Sequence, residues 1–220
     1  MNNLTENTMI RTENLTITRQ GKTLLSDINL TLNSQQRLCL CGSIGCGKTT
    51  LLHSLMGFVP FEGKIYLLGD ECKSEKQFAQ KRGKIGLLFQ NPDDQLFGPT
   101  VLDDVAFGPL NQGISKKEAY AIAQQQLEQL GITRLAERSV NLLSGGEKNF
   151  TALAGVLAMK PQVLLLDEPT NGLDPKNVDR LSDVLLKLDL PMIIASHDMQ
   201  FIQRIATDVF NMSAISQQSL

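Results

Sequence analysis

The sequence predicts an α/β fold in which a parallel sheet is covered by helices, with an antiparallel β region towards the N-terminus and an α-helical subdomain inserted into the core. Three observations predict it. Val163-Leu164-Leu165-Leu166 and Met192-Ile193-Ile194-Ala195 are short, nearly all-aliphatic runs, the pattern of strands buried on both faces of a parallel sheet. Arg37-Leu38-Cys39-Leu40-Cys41 reads as another such strand and runs straight into a glycine-rich loop followed by a helical pattern. Residues 115–130 have the length of an amphipathic helix, with Ala119, Ile122, Ala123, Leu127 and Leu130 at helical spacing.

In chain order, residues 12–19 and 24–32 alternate β-formers with polar residues around Gln20-Gly21-Lys22, which predicts an antiparallel hairpin. After strand 37–41 and its glycines, Leu51, Leu52, Leu55 and Met56 fall on one helical face and Gly57 ends it. Residues 62–70 and 84–89 read as two more strands. The chain reads as one domain, 1–220, with a core of about 1–90 and 158–212 and the helical subdomain at about 91–157. Only the ends, 1–8 and 213–220, read as loose, and there is no repeat or heptad seam.

Composition narrows the function classes. With 220 residues, 42% hydrophobic and 20% charged, the chain suits one α/β domain. A net charge of -2 and the lack of a Lys/Arg-rich block give no electrostatic reason to expect nucleic acid. The polar start Met1-Asn2-Asn3-Leu4-Thr5-Glu6-Asn7 does not read as a secretory signal. No apolar run approaches the roughly 20 residues that a membrane-spanning helix needs, so a cytoplasmic protein with no membrane insertion of its own is expected. The cysteines Cys39, Cys41, Cys46 and Cys72 lack the paired spacings of a zinc site; Cys39 and Cys41 are expected to share one buried face as small hydrophobes.

Three motifs carry chemistry. Gly42-Ser43-Ile44-Gly45-Cys46-Gly47-Lys48-Thr49 fits the P-loop pattern G-x-x-x-x-G-K-[ST] in the strand-to-helix setting it requires. Its glycines let successive N–H groups curl around phosphate oxygens, and the following helix, with Thr50 in its first turn, adds the positive end of its dipole. Lys48 is placed to bridge the β- and γ-phosphates and Thr49 to ligate Mg²⁺. Val163-Leu164-Leu165-Leu166 closes on Asp167-Glu168 at the carboxyl edge of the sheet, where such folds bind ligands. Alone, that pair reads as a cap or turn; with the P-loop upstream, Asp167 reads as a metal-shell carboxylate and Glu168 as the general base for an attacking water. Leu143-Ser144-Gly145-Gly146-Glu147 reads as an N-capped helix start and equally as a second anion site, since a hydroxyl, two unobstructed amides and a helix N-terminus converge there.

With these motifs the chain resembles the ATP-binding cassette (ABC) family, a branch of the P-loop NTPases, over nearly its whole length. Leu143–Glu147 would be the family's signature motif, Gln90 the Q-loop glutamine, Asn171-Gly172-Leu173-Asp174 the D-loop and His197 the switch histidine. The resemblance implies an ATPase that uses ATP and Mg²⁺ and works as a head-to-tail dimer of cassettes. Each site would combine Lys48, Thr49, Gln90, Asp167, Glu168 and His197 of one chain with Ser144, Gly145 and Gly146 of the other. Gln90 would contact Mg²⁺ or the attacking water, His197 the γ-phosphate, and Asp174 would link the two sites. His53 reads as structural.

The stretch Phe89-Gln90-Asn91-Pro92-Asp93-Asp94-Gln95-Leu96-Phe97-Gly98-Pro99-Thr100-Val101, followed by Asp104–Leu110, resembles the energy-coupling-factor ATPases of prokaryotic cobalt, nickel and vitamin importers. The resemblance implies integral membrane coupling and solute-binding partners, a peripheral place on the cytoplasmic face of the inner membrane, and a partner-facing surface at Asp93, Gln95 and Phe97. A divalent cobalt or nickel ion is the first expected cargo and a vitamin such as biotin the second. A homodimer is favoured, because one chain supplies both halves of each site. Three departures from the family stand out. Arg19 occupies the place where an aromatic commonly stacks on adenine, and a guanidinium plane can also stack there. Lys148-Asn149-Phe150-Thr151 lacks the arginine usual after the signature, which predicts looser packing around that helix. The chain stops soon after 208–211, without a C-terminal extension that can aid dimerisation, so a monomer is expected without ATP. Soluble cassette proteins usually have two cassettes or coiled-coil insertions, which this chain lacks; a non-catalytic cassette is opposed by Lys48, Asp167, Glu168 and His197.

Overall fold

The computed structural model describes residues 7–212. Residues 1–6 and 213–220, most of the two ends that read as loose, lie outside the described residues. Thr8, also assigned to the loose end, instead opens the first strand.

The elements run β1 (Thr8–Arg19), β2 (Lys22–Ile28), β3 (Thr31–Asn33), β4 (Arg37–Cys41), α1 (Lys48–Leu55), β5 (Glu62–Leu67), β6 (Asp70–Glu71), α2 (Glu75–Arg82) and β7 (Ile85–Leu88). Then come α3 (Val101–Asn111), α4 (Lys116–Gln129), α5 (Gly145–Ala158), β8 (Val163–Asp167), α6 (Pro175–Lys187), β9 (Met192–Ala195), α7 (Met199–Ile205) and β10 (Asp208–Asn211). One sheet is antiparallel, in the order β2-β1-β5-β6 with β3 also on β1; the other is parallel, in the order β10-β4-β9-β8-β7.

The predicted hairpin forms, with Arg19 opposite Lys22. Its two-residue turn holds Gln20 at φ 51 and Gly21 at φ 74, the double left-handed conformation that matches strand twist. The single strand expected over 24–32 is broken, however. Buried Thr12 donates its hydroxyl to Ile28 O and accepts from Leu30 N–H, so a side chain takes the place of ladder bonds and splits β2 from β3. Residues 62–70 likewise fold back on themselves, because Leu68 (φ 53) and Gly69 (φ 88) make another left-handed turn.

Alternation along the parallel strands divides the interior into two cores. In β8, Leu164 and Leu166 pack with Val105, Ala123, Leu127, Phe150 and Leu153 of the helical insert, whereas Val163 and Leu165 pack with Ile17, Leu25, Leu51 and Leu55 of the β region and α1. Cys39 and Cys41 face the first core as expected, although Cys41 is only half-buried; burial pushes the Cys39 thiol up to about 12.

One buried carboxylate fixes the segment entering α3. Asp104 accepts hydrogen bonds from Phe97 N–H (2.9 Å) and Gly98 N–H (2.7 Å), and burial raises its pKa against those two bonds. Asp104→Ala should lower stability by about 1–3 kcal/mol, because two donors lose their acceptor. Asp104→Asn keeps an acceptor and removes the buried charge, so it should cost less. The folded-state pKa lies above the ordinary value of 3.8, so ionisation removes stability as pH rises through that window. The Asn variant should therefore gain on the wild type between pH 4 and neutrality, as read by urea denaturation at several pH values; an Asn variant as unstable as the Ala variant would contradict this account.

Candidate functional site

Register brings the site together. Leu40 is level with Ala195, Ala195 with Asp167, and Leu166 with Leu88, so β4, β9, β8 and β7 all release their following segments at one sheet edge. From β4 comes the P-loop. Gly45 (φ 82) and Gly47 (φ 97) take left-handed conformations that a side chain would strain, and Gly47 caps α1. Lys48 is buried, and its Nζ donates to Gly42 O (3.0 Å) and Ser43 O (3.4 Å). The same nitrogen lies 3.5 Å from Glu168 Oε1.

The next residue, Thr49, donates its hydroxyl to Asp167 Oδ1 at 3.1 Å. Asp167 is almost wholly buried, and its pKa is raised, first by burial and further by the Glu168 charge, against the Thr49 bond and the nearby His53 and Lys48. Glu168 leaves the strand with φ 44, an uncommon left-handed backbone for a non-glycine residue. Its carboxylate lies between Lys48 and His197: Oε1 faces the Lys48 ammonium, while Oε2 accepts from His197 N–H (3.2 Å) and sits 2.8 Å from His197 Nδ1.

Arg19, Ile44, Gly45, Gly47, Lys48, Thr49, Thr50, Gln90, Glu168 and His197 line one cleft of about 790 Å³. Gly42 and Ser43 line a neighbouring hollow shared with His197, and Cys46 is buried beneath the loop against the second core. Asp167 and Gly145 line an adjoining cleft of about 470 Å³, which shares Thr49 and Gln90 with the first. Ser144, Gly146 and Asp174 line neither cleft. Ser144 caps α5 in a reciprocal box, accepting from Glu147 N–H while Glu147 Oε2 accepts from Ser144 N–H (3.0 Å). Hydrogen bonds from Ser144 and the arginines Arg134 and Arg138 hold the Glu147 carboxyl below its ordinary range. Asp174 caps α6, accepting from Asn177 N–H at 2.9 Å.

Several features escaped the sequence reading. Asn171 lines both clefts, whereas Asp174, three residues on in the same Asn-Gly-Leu-Asp run, is occupied in capping. The expected looseness around α5 is absent. Phe150 is buried, and the Arg180 guanidinium from α6 lies 4.4 Å over its ring while also donating to Leu130 O. His53 packs its ring edge-on to Phe58 and Phe89, in keeping with a structural role, and it also lines the second cleft beside Gln90.

The segment after Gln90 is divided in its roles. Asp93 is ion-paired to Lys148 at 2.5 Å, and Gln95 turns inward to accept from Phe89 N–H (3.1 Å). Asp93 is exposed despite its ion pair, and Gln95 and Phe97 line one groove of about 420 Å³, with the Phe97 ring 4.4 Å edge-on to the exposed Phe107.

Residues 25–171 match the family model described as ABC transporter. The chain belongs to the ABC transporter family. An uncharacterized ABC transporter ATP-binding protein of Haemophilus influenzae is 58% identical over 208 residues, covering 94% of this chain and 96% of that protein. The energy-coupling factor transporter ATP-binding protein EcfA of Methanothermobacter thermautotrophicus is 41% identical, over 86% of this chain and 63% of its own length. Among solved structures, cbiO1 from Clostridium perfringens, described as part of the ABC transporter complex cbiONQ, is 33% identical with a TM-score of 0.85, covering 93% of this chain and 84% of that one. This ABC protein is an ATPase coupled to transport.

The geometry separates two groups of residues by measurement. Lys48→Ala should weaken ATP binding to the monomeric chain at least about tenfold, since a charge-assisted phosphate contact is lost. Ser144→Ala should leave that affinity within about twofold while lowering stability by about 1 kcal/mol through its cap. Titration calorimetry and thermal unfolding read both, and equal losses of affinity would contradict the separation.

Proposed function

We propose that this chain is the ATP-hydrolysing subunit of an energy-coupling-factor-type importer and that it closes head-to-tail with a second copy over two ATP molecules. The observation that carries the reading is the Lys48–Glu168–His197 cluster at the sheet edge, with a second capped helix start at Ser144 that stands outside the same chain's cleft. A partner's Ser144, Gly145 and Gly146 would complete the site, with Asp174 near the join. The similarity to EcfA supports the transporter type.

Mg²⁺ fits the residues present. A hydroxyl (Thr49), a carboxylate (Asp167) and an amide oxygen (Gln90) are hard oxygen donors, and a cation there would relieve the cost of burying a charged Asp167. When bound, it would supply a Lewis acid that neutralises charge developing on the phosphoryl group. Lys48 gives up the carbonyls of Gly42 and Ser43 and donates to the phosphates instead. Glu168, released from Lys48, accepts a proton from the attacking water. His197 holds that carboxylate through Nδ1–H and its own backbone N–H; donating from Nε2 to the γ-phosphate as well requires the imidazolium form. Gln90, between the two clefts, links γ-phosphate status to the helical subdomain, about 91–157, which turns against the core of about 1–90 and 158–212.

Among the described residues, no helix is long and apolar enough to cross a membrane. We assign the subunit to the cytoplasmic face of the membrane, docked on an integral coupling protein through the Phe97–Phe107 groove, with a separate protein selecting the solute. On the resemblance of residues 89–110, the cargo is a divalent cobalt or nickel ion. In the purified chain, Glu168→Gln should abolish steady-state hydrolysis and, with Mg²⁺-free ATP, give a dimer by light scattering. Hydrolysis indifferent to Glu168 would overturn the reading.

A further inference from the structure

The hairpin side of the 790 Å³ cleft is lined by Arg19, Gln20, Lys22, Thr23 and Leu24, and among the described residues no phenylalanine or tyrosine lines the cleft. A purine base entering there meets no aromatic ring. It meets two cations instead. Arg19 and Lys22 are register partners across the two-residue turn, both exposed, and neither forms a side-chain hydrogen bond or ion pair among the described residues. Like charges directly opposite on a hairpin are unfavourable, and the left-handed Gln20 and Gly21 hold the turn in that arrangement. An electron-rich ligand edge between them would relieve the repulsion.

The two common purines differ at that edge. Guanine presents two adjacent acceptors, O6 and N7, whereas adenine presents N7 beside an N6 amino donor. Arginine carries only donors, in a planar fork that matches paired acceptors, and lysine adds three more. Adenine would therefore set a donor against donors. Resting on the nucleotide-site reading above, we propose that Arg19, with Lys22 beside it, selects guanine, so that the cleft takes GTP more tightly than ATP and GTP is a further substrate of this ATPase.

Equilibrium displacement of the fluorescent N-methylanthraniloyl derivative of ATP from the full chain, without Mg²⁺, tests this with GTP and ATP as competitors. GTP should bind at least about threefold more tightly than ATP in the wild type, a modest share of what a bidentate guanine contact can give. Arg19→Lys and Arg19→Ala should both lose that preference, since neither supplies the fork, and Arg19→Tyr should lose it while tightening both nucleotides, because a stacking ring serves either base. Hydrolysis of GTP against ATP, followed as phosphate release, should move the same way. Binding of both nucleotides with ATP the tighter, or a GTP preference that persists in both Arg19→Lys and Arg19→Ala, overturns the assignment alone. Binding of neither nucleotide would overturn the nucleotide-site reading beneath it.

Discussion

The site depends on one constraint, the level register of a parallel sheet. Four strands that carry no catalytic side chain in their interiors end within a residue of one another: β4 before the P-loop, β8 at Asp167, β9 before His197 and β7 before Gln90. A slip of one residue in β8 would turn Leu164 and Leu166 into the other core and move Glu168 away from Lys48. The aliphatic runs are therefore part of the chemistry, because packing on both faces is what sets the register.

On that edge, the polar and charged groups hold one another. Lys48 is satisfied by two carbonyls of its own loop and by Glu168, and Glu168 is also held by His197. A buried lysine needs such partners, and a phosphate can replace them. The insert is attached to this edge by one contact far apart in sequence and two local ones. Lys148 of α5 pairs with Asp93, Gln95 reaches back to Phe89, and Asp104 clamps Phe97 and Gly98. The segment between Gln90 and α3 thus touches the P-loop cleft at one end and the exposed Phe97–Phe107 pair at the other.

What was legible in the sequence was what short-range pattern encodes. The P-loop, the acidic strand end, the signature helix cap and the buried β8 and β9 each lie within a few consecutive residues. What escaped was set at long range or by one side chain. Thr12 splits β2 from β3 by hydrogen bonds to residues 16 and 18 positions away, and alternation over 24–32 gives no sign of it. Arg180 reaches Phe150 from a different helix, so the missing arginine after Glu147 suggested looseness where packing is tight. Strand β10 is a four-residue, largely exposed edge that carries no strong apolar pattern. The α2 start did carry a signal, Ser74-Glu75-Lys76-Gln77, a capping box that forms as that spacing predicts.

The central claim is that each hydrolytic site is shared between two chains, and mixing two inactive variants tests it most directly. Lys48→Ala removes the phosphate lysine and Ser144→Arg blocks the signature helix start, so neither homodimer holds a working site. In a mixed dimer one site joins the intact Lys48 of one chain to the intact Ser144 of the other. The account predicts that an equimolar mixture recovers about a quarter of wild-type ATP hydrolysis, since about half the dimers are mixed and each has one good site. A mixture as inactive as its separate components, with mixed dimers shown to form, would contradict it.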